Sequence, residues 1–312
     1  MQPAQPEQPD PLVTKVIDDG QRLDRAVADW RGLPRAAVLR LLEYGAITCN
    51  GKTMRRSNKG DLLRAGDRLT LAGDYARGEA PLPDDAIGLD IVQAGDGWLI
   101  VNKPAGMPVR PHALDETGTV VNAVAARCPE MIGVGEGGLR SGVVHRLDTD
   151  TSGALLVATR QDAWERLRAV FAERRVEKRY LALVRGTPME KGAARRDLRV
   201  ASHQPARVEV EPEGKGRQDS RTCSLSWHLL ERLGERASLI EVDLHTGFLH
   251  QIRAMMCDLG HPVIGDHTYG SDLSPIDAPR QMLHAKSLAF GDIRAEAPMP
   301  GDMQRLLKAL CG

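Results

Sequence analysis

Between His145 and Gly153 the chain gathers His145, Arg146, Asp148, Asp150, Thr151 and Ser152 in one short polar stretch. A carboxylate in such a loop can serve as nucleophile or general base, and a neighbouring arginine or histidine can hold or exchange its charge. Two apolar β-type runs, Val143-Val144 and Ala154 to Ala158, bracket the stretch. Leu155, Leu156 and Val157 are continuous and apolar, as expected of a strand buried on both faces. Loops held by a rigid core are where catalytic groups usually sit. The same residues also suit a capped turn, with Asp and Thr side chains bonding their own backbone. Spacing alone leaves both readings open.

The run His145-Arg146-Leu147-Asp148-x-x-Thr151-Ser152-Gly153 resembles the active-site motif of the RluA family of RNA pseudouridine synthases. Supporting segments follow in the family's order: Lys103-Pro104-Ala105-Gly106, Lys178-x-Tyr180-x-Ala182, His250-Gln251-Ile252-Arg253, Gly260-His261-Pro262 and Gly265-Asp266. The resemblance runs from about residue 90 to 295. It implies isomerisation of uridine in ribosomal or transfer RNA by a single aspartate without a cofactor, and by position that residue is Asp148. It further implies that Tyr180 packs on the target uracil and that Arg253 belongs to the catalytic set; an Arg253 adjacent to Asp148 would form an ion pair that favours the charged carboxylate. The implied substrate-binding set is His145, Arg146, Thr151, His250 and Leu283, with Arg146 filling the space left by an extruded base. One departure stands out. Where the family usually has Gly-Arg-Thr before the His-Gln pair, this chain has Gly247-Phe248-Leu249, which puts the substrate's identity in question.

Composition is that of an ordinary globular protein, with 42% hydrophobic and 27% charged residues, and 42 basic side chains balance 42 acidic ones. The neutrality conceals an uneven distribution. From Leu12 to Arg77 thirteen Lys and Arg face eight Asp and Glu, a net of about +5, while Gly78 to Asp90 carries four acids and no base. A basic module is a candidate electrostatic footprint for nucleic acid. The five cysteines form no CxxC pair, which argues against a disulfide framework or zinc ribbon and suits a reducing cytoplasm. No signal peptide or apolar run near 18 residues is evident, so no membrane partner is expected.

Leu23, Ala26, Val27 and Trp30 share one helical face, and a second helix from Pro34 turns Val38, Leu41 and Leu42 inward, with Gly45 as its left-handed stop. Ile47 to Cys49 then runs into Asn50-Gly51, a two-residue hairpin signal. Over Leu62 to Leu71, Gly66-Asp67 makes a turn and closes the module. This module resembles the small RNA-binding module named after a small-subunit ribosomal protein. Its expected RNA contacts are Arg22, Arg25, Arg35, Arg40, Lys52, Arg55, Arg56 and Lys59, read as an exposed set touching phosphates. With no aromatics interleaved among them, recognition by shape and backbone is expected.

The expected organisation is a disordered tail over 1–11, the basic module over 12–77, a linker over 78–89 and a catalytic domain over 90–312. The expected fold is α+β, with a mainly antiparallel mixed sheet implied by the resemblance. Asp162 is expected to cap a helix carrying Trp164, Leu167, Val170 and Phe171; Lys191 to Thr222 reads as a loop with weak strands. His250, Arg253 and Cys257, at i, i+3 and i+7, are expected to share one helical face. His245, His250, His261, Asp266, His267 and His284 lack a compact ligand spacing, and neither metal nor cofactor is expected. The expected activity is uridine-to-pseudouridine isomerisation, with large-subunit ribosomal RNA favoured over transfer RNA as partner and a monomeric state. Its rivals are a non-catalytic RNA-binding or ribosome-assembly factor and a carboxylate hydrolase using Asp148 and Asp150.

Overall fold

The computed structural model describes residues 13–18, 20–33, 35–71, 80–113, 115–203, 205–270 and 276–311. The expected tail over 1–11 and the first two residues of the expected linker lie outside them. The chain separates into two compact units. Described residues up to Leu89 form the first together with Val109–Val143 and Ala158–Trp164; Asp90–Pro108, Val144–Val157 and the residues from Glu165 onward form the second.

In the first unit β1 (Val13–Val16), β2 (Ile47–Cys49), β3 (Lys52–Thr53) and β4 (Arg68–Leu71) form an antiparallel sheet in the order β1-β4-β2-β3. Helices α1 (Leu23–Arg31) and α2 (Arg35–Glu43) bury Leu23, Ala26, Val27, Val38, Leu41 and Leu42 in one core with Ile47, Leu69 and Leu71, the faces their apolar spacing requires. Each such buried Leu or Ile contributes about 1.5–3 kcal/mol. Asn50 and Gly51 have φ of +50° and +77°, the left-handed pair of a tight hairpin between β2 and β3. The described part of the expected linker is packed. Leu82 joins this core, and Asp84 is buried 3.4 Å from Arg40. Helix α3 (Val120–Arg127) starts at Thr119 in a capping box with Asn122, whose Nδ2 also donates to the Leu82 carbonyl at 2.6 Å.

The second unit is built on a sheet of ten strands among the described residues. They are β5 (Ile91–Gly95), β6 (Trp98–Lys103), β7 (Ser152–Ala158), β8 (Glu177–Arg185), β9 (Lys191–His203), β10 (Ala206–Pro212), β11 (Arg221–Leu233), β12 (Ala237–Leu244), β13 (Leu283–Phe290) and β14 (Ile293–Glu296). Their order is β10-β9-β11-β12-β8-β13-β7-β6-β5, with β14 on β13. The pairs β10–β9, β9–β11, β11–β12, β12–β8, β8–β13, β13–β14 and β6–β5 are antiparallel, whereas at β13–β7 His284 and Ala285 pair in parallel with Ser152 and Gly153. The expected α+β class with a mainly antiparallel sheet is what the chain adopts. Helices α4 (Gln161–Ala172), α5 (Gln251–Asp258) and α6 (Gly301–Cys311) complete it, and Met303 of α6 closes a core of Leu181, Leu183, Leu239 and Met282. No described helix is long and apolar enough to cross a membrane.

Three sequence expectations are corrected. Lys191 to Thr222 is largely strand: β9 and β10 pair with each other, and β9 pairs with β11. Only Ala194, Asp197 and Leu198 of β9 and Val208 of β10 are buried, so the strands show little apolar periodicity while pairing with neighbours satisfies their backbone. Val143-Val144 forms no strand; the Val143 carbonyl accepts from the Trp164 indole at 3.0 Å and the Val144 carbonyl from Arg168 at 2.9 Å. Asp162 lies inside the first turn of α4 and pairs with Arg160, so it is not the cap.

Candidate active site

The loop before β7 is held by its backbone. Lys103, 1% exposed at the end of β6, sends its Nζ to the carbonyls of Pro104, Met107 and Thr149 at 2.8, 2.8 and 2.7 Å. Burial pushes this amine down to about 7, with Asp150 and Asp148 opposing. Three carbonyl acceptors use all three N–H groups of an ammonium. Buried Arg280 donates to the Asp150 carbonyl at 2.9 Å and is itself anchored on Asp302. The turn is closed by Thr151 N–H to the Asp148 carbonyl at 3.1 Å. Gly153, at φ +114°, leaves no room for a side chain: a Cβ there would sit 2.1 Å from the Ala285 carbonyl oxygen. At the other end His145 Nε2 accepts the Leu156 N–H at 3.0 Å, and its ring stacks on Phe171 at 4.7 Å. Burial first, then Lys178 and Arg168, push this histidine down to about 3, so it is neutral.

With its loop fixed, Asp148 meets two side chains from the start of α5. Arg253 donates to Asp148 Oδ2 at 3.0 Å, and His250 Nε2 lies 3.9 Å from Oδ1. Arg253 is only 7% exposed at its side chain, and a second carboxylate holds it: Nε and Nη2 bond the two oxygens of Asp266, which is fully buried, at 2.6 and 2.9 Å. Nη2 also reaches Thr268 Oγ1 at 3.0 Å. Burial opposes the guanidinium's charge, but Asp266 and then Asp148 outweigh it and hold its pKa above the ordinary value. Asp148 keeps 22% side-chain exposure and faces a cleft of about 760 Å³.

That cleft is lined by each residue the sequence assigns to catalysis or substrate: Asp148, Tyr180 and Arg253, with His145, Arg146, Thr151, His250 and Leu283. Tyr180 on β8 is 7% exposed; burial, then the Asp148 charge, push its hydroxyl above the usual range, so it stays protonated. Thr151 Oγ1 is buried with no hydrogen-bond partner among the described residues. Phe248, Lys178, Arg174 and Arg221 also line the cleft. The expectation that His250 shares a helical face with Arg253 is corrected: His250 precedes α5 at φ +51°, and the two side chains still converge. Sequence reasoning did not assign Asp266, Arg280 or Tyr269 to the site, and it read Lys103, within its Pro-Gly segment, as structural support for it. Gly265-Asp266 stood among the family-like segments and was the available signal.

Among the expected RNA contacts, Arg40 is corrected: it is half-buried on Asp84 and does not lie on the exposed side. Arg22 and Arg35 both pair with buried Asp24 at 3.1 and 3.2 Å. Arg55 donates to the Glu43 carbonyl and Arg56 pairs with the Glu43 carboxylate. Arg25, Lys52 and Lys59 are exposed.

The second unit thus carries, on a ten-stranded mixed sheet, a buried Arg between two carboxylates at a cleft, and comparison with known proteins shows the family to which such a chain belongs. Residues 97–258 match the RNA pseudouridylate synthase family. An uncharacterized RNA pseudouridine synthase from Synechocystis is 37% identical over 92% of this chain and 88% of that protein. The ribosomal large subunit pseudouridine synthase D of Zymomonas mobilis is 34% identical over 93% and 94% of the two chains. Among solved structures, human RNA pseudouridylate synthase domain containing 1 is similar at a TM-score of 0.52 with 26% identity, covering 73% of this chain and 96% of that one. Human RNA pseudouridylate synthase domain containing 4 shares the fold, at a TM-score of 0.58 over 71% and 92% of the chains. This chain belongs to the RNA pseudouridine synthase family, whose members are isomerases acting on RNA.

Proposed function

We propose that this protein converts uridine to pseudouridine in large-subunit ribosomal RNA, with Asp148 acting as nucleophile or base at the ribose. The observation that carries the reading is the Asp148 carboxylate, held through one oxygen by Arg253 at 3.0 Å and facing a cleft shared with Tyr180 and Leu283. The reaction breaks the bond from ribose C1′ to uracil N1, turns the base and rejoins it through C5; the C5 proton leaves and N1 gains one. Asp148 supplies the electron pair or accepts the proton. Tyr180 and Leu283 pack on the uracil, and Thr151 Oγ1 gains the partner it lacks. Exposed Arg146 enters the stack as the target base flips out.

Ribosomal RNA is favoured because relatives from Zymomonas mobilis and Xanthomonas campestris, 34% identical, are named ribosomal large subunit pseudouridine synthase D. The module over residues 12–77 holds the RNA backbone through Lys52 and Lys59, with Arg22, Arg25, Arg35, Arg55 and Arg56 contributing from positions already paired within the fold. The expected setting is cytoplasmic.

The test is tritium release from C5-labelled uridine in unmodified large-subunit ribosomal RNA, comparing wild type with Asp148→Asn. Release by wild type alone supports the reading. Release only from transfer RNA overturns the substrate, and equal release by Asp148→Asn overturns the role of the aspartate.

A further inference from the structure

We propose that Tyr269 is a positioning residue that fixes the tautomer of His250, so that the ring presents its Nε2–H to the oxygen of Asp148 that Arg253 leaves free. The inference rests on the reading of Asp148 as the reacting group and adds two residues to it.

The argument is a count of protons. The Tyr269 hydroxyl has one hydrogen to donate and lone pairs to accept with. The backbone N–H of Val208 on β10 donates to Tyr269 Oη at 2.8 Å. Its other polar neighbour among the described residues is His250 Nδ1, at 3.1 Å. Among the described residues the hydroxyl therefore has one acceptor for its hydrogen, and that acceptor is Nδ1. A neutral imidazole that accepts at Nδ1 carries its proton at Nε2.

Electrostatics select the same tautomer. His250 Nε2 lies 3.9 Å from Asp148 Oδ1. The opposite tautomer would aim a nitrogen lone pair at a carboxylate oxygen and leave the tyrosine hydrogen without an acceptor among the described residues. Tyr269 is itself held in place: the Arg253 guanidinium lies 5.4 Å from its ring centroid, Cys257 Sγ donates to its carbonyl at 2.8 Å, and its ring meets that of His250 edge-on at 5.8 Å. His250 is also fixed at its backbone, where its carbonyl accepts the Ala254 N–H at 2.9 Å to start α5 from a left-handed residue.

The two oxygens of Asp148 thus receive different treatment. Oδ2 bonds the Arg253 guanidinium, while Oδ1 faces a neutral N–H at a spacing beyond a direct hydrogen bond. Oδ1 is the oxygen left to react, and His250 orients it or the ribose hydroxyl that enters beside it.

The experiment has two arms on the full chain. Nitrogen-15 NMR of histidine-labelled protein, with the His250 signals assigned by their loss in His250→Gln, is expected to show protonation at Nε2 in wild type and a tautomer mixture in Tyr269→Phe. A wild-type ring protonated at Nδ1 overturns the proposal. In the tritium-release assay Tyr269→Phe is expected to lower kcat on the order of tenfold with KM unchanged. Gln at position 250 carries a fixed amide donor near the place of Nε2, so Tyr269→Phe should cost nothing further in that background. An equal cost in both backgrounds shows that Tyr269 does not act through His250 and overturns the proposal. The ring readout needs no RNA, so a wild type that releases no tritium is distinguishable as a failure of the functional reading.

Discussion

In the N-terminal module one buried aspartate, Asp24, is shared by two arginines, whereas in the second unit one buried arginine, Arg253, is shared by two aspartates. Arg22 and Arg35 remain 49% and 64% exposed at their side chains, so water helps to solvate the excess charge. Burial pushes the Asp24 carboxyl up, and Arg22 and Arg35 outweigh that, leaving it below its ordinary value. Around Arg253 the arrangement is reversed. Asp266 occupies it bidentately in a site closed to solvent, and Asp148 takes a single bond while its other oxygen faces the cleft. The first cluster is complete within the protein. The second leaves one carboxylate oxygen available for chemistry, which is the difference between a structural clamp and a reactive group built from the same two residue types.

Replacing the available carboxylate should have the largest effect. Asp148→Asn is expected to lower tritium release by a factor on the order of 10³, about 4 kcal/mol, with RNA affinity retained in a filter-binding assay. Breaking the buried side of the same cluster comes next. Asp266→Asn should cost about 3 kcal/mol in urea unfolding, because it leaves Arg253 buried with half its compensation. Kinetically, Arg253→Met should lower kcat more than it weakens RNA binding.

Breaking the N-terminal cluster should matter less. Asp24→Asn is expected to cost about 1.5 kcal/mol in unfolding at neutral pH, since its arginine partners can turn to water. The sign with pH follows from its lowered pKa: the stability it contributes is present above 3.8 and is lost as pH falls through the still lower folded value. The difference between wild type and Asp24→Asn should therefore shrink on acidification below 3.8. A gap that widened would mean that Asp24 is not held by its arginines. The smallest effect sharpens the contrast between paired and free bases. Lys52→Ala and Lys59→Ala should each reduce the salt dependence of RNA binding by about one unit of slope, while Arg40→Ala leaves that slope unchanged.

Much of this was legible from residue types. The helices α1 and α2 and the hairpin at Asn50-Gly51 follow from local spacing, and β7 from its apolar run. Asp148, Tyr180 and Arg253 were identified by motif, and the structure brings all three to one cleft. What escaped was set by long-range pairing. Strands β9 and β10 are polar along most of their length, and their hydrogen bonds to each other and to β11 leave little imprint on hydrophobic periodicity. Asp266 reaches Arg253 only because the chain folds back over a sequence separation of 13. Lys103 looked like part of a Pro-Gly turn, since nothing local reveals that its amine ends among carbonyls from two loops.

That amine also reports on motion. Lys103 is buried, and its three contacts tie residues 104–107 to the Thr149 backbone, one residue beyond Asp148. An amine-reactive reagent can reach it only when those two loops separate. The rate at which Lys103 becomes acylated in the native protein is thus a clock for opening of the loop that carries Asp148, readable by peptide mass spectrometry. RNA bound in the cleft should slow that clock, while the exposed amines of Lys52 and Lys59 in the same sample calibrate the reagent.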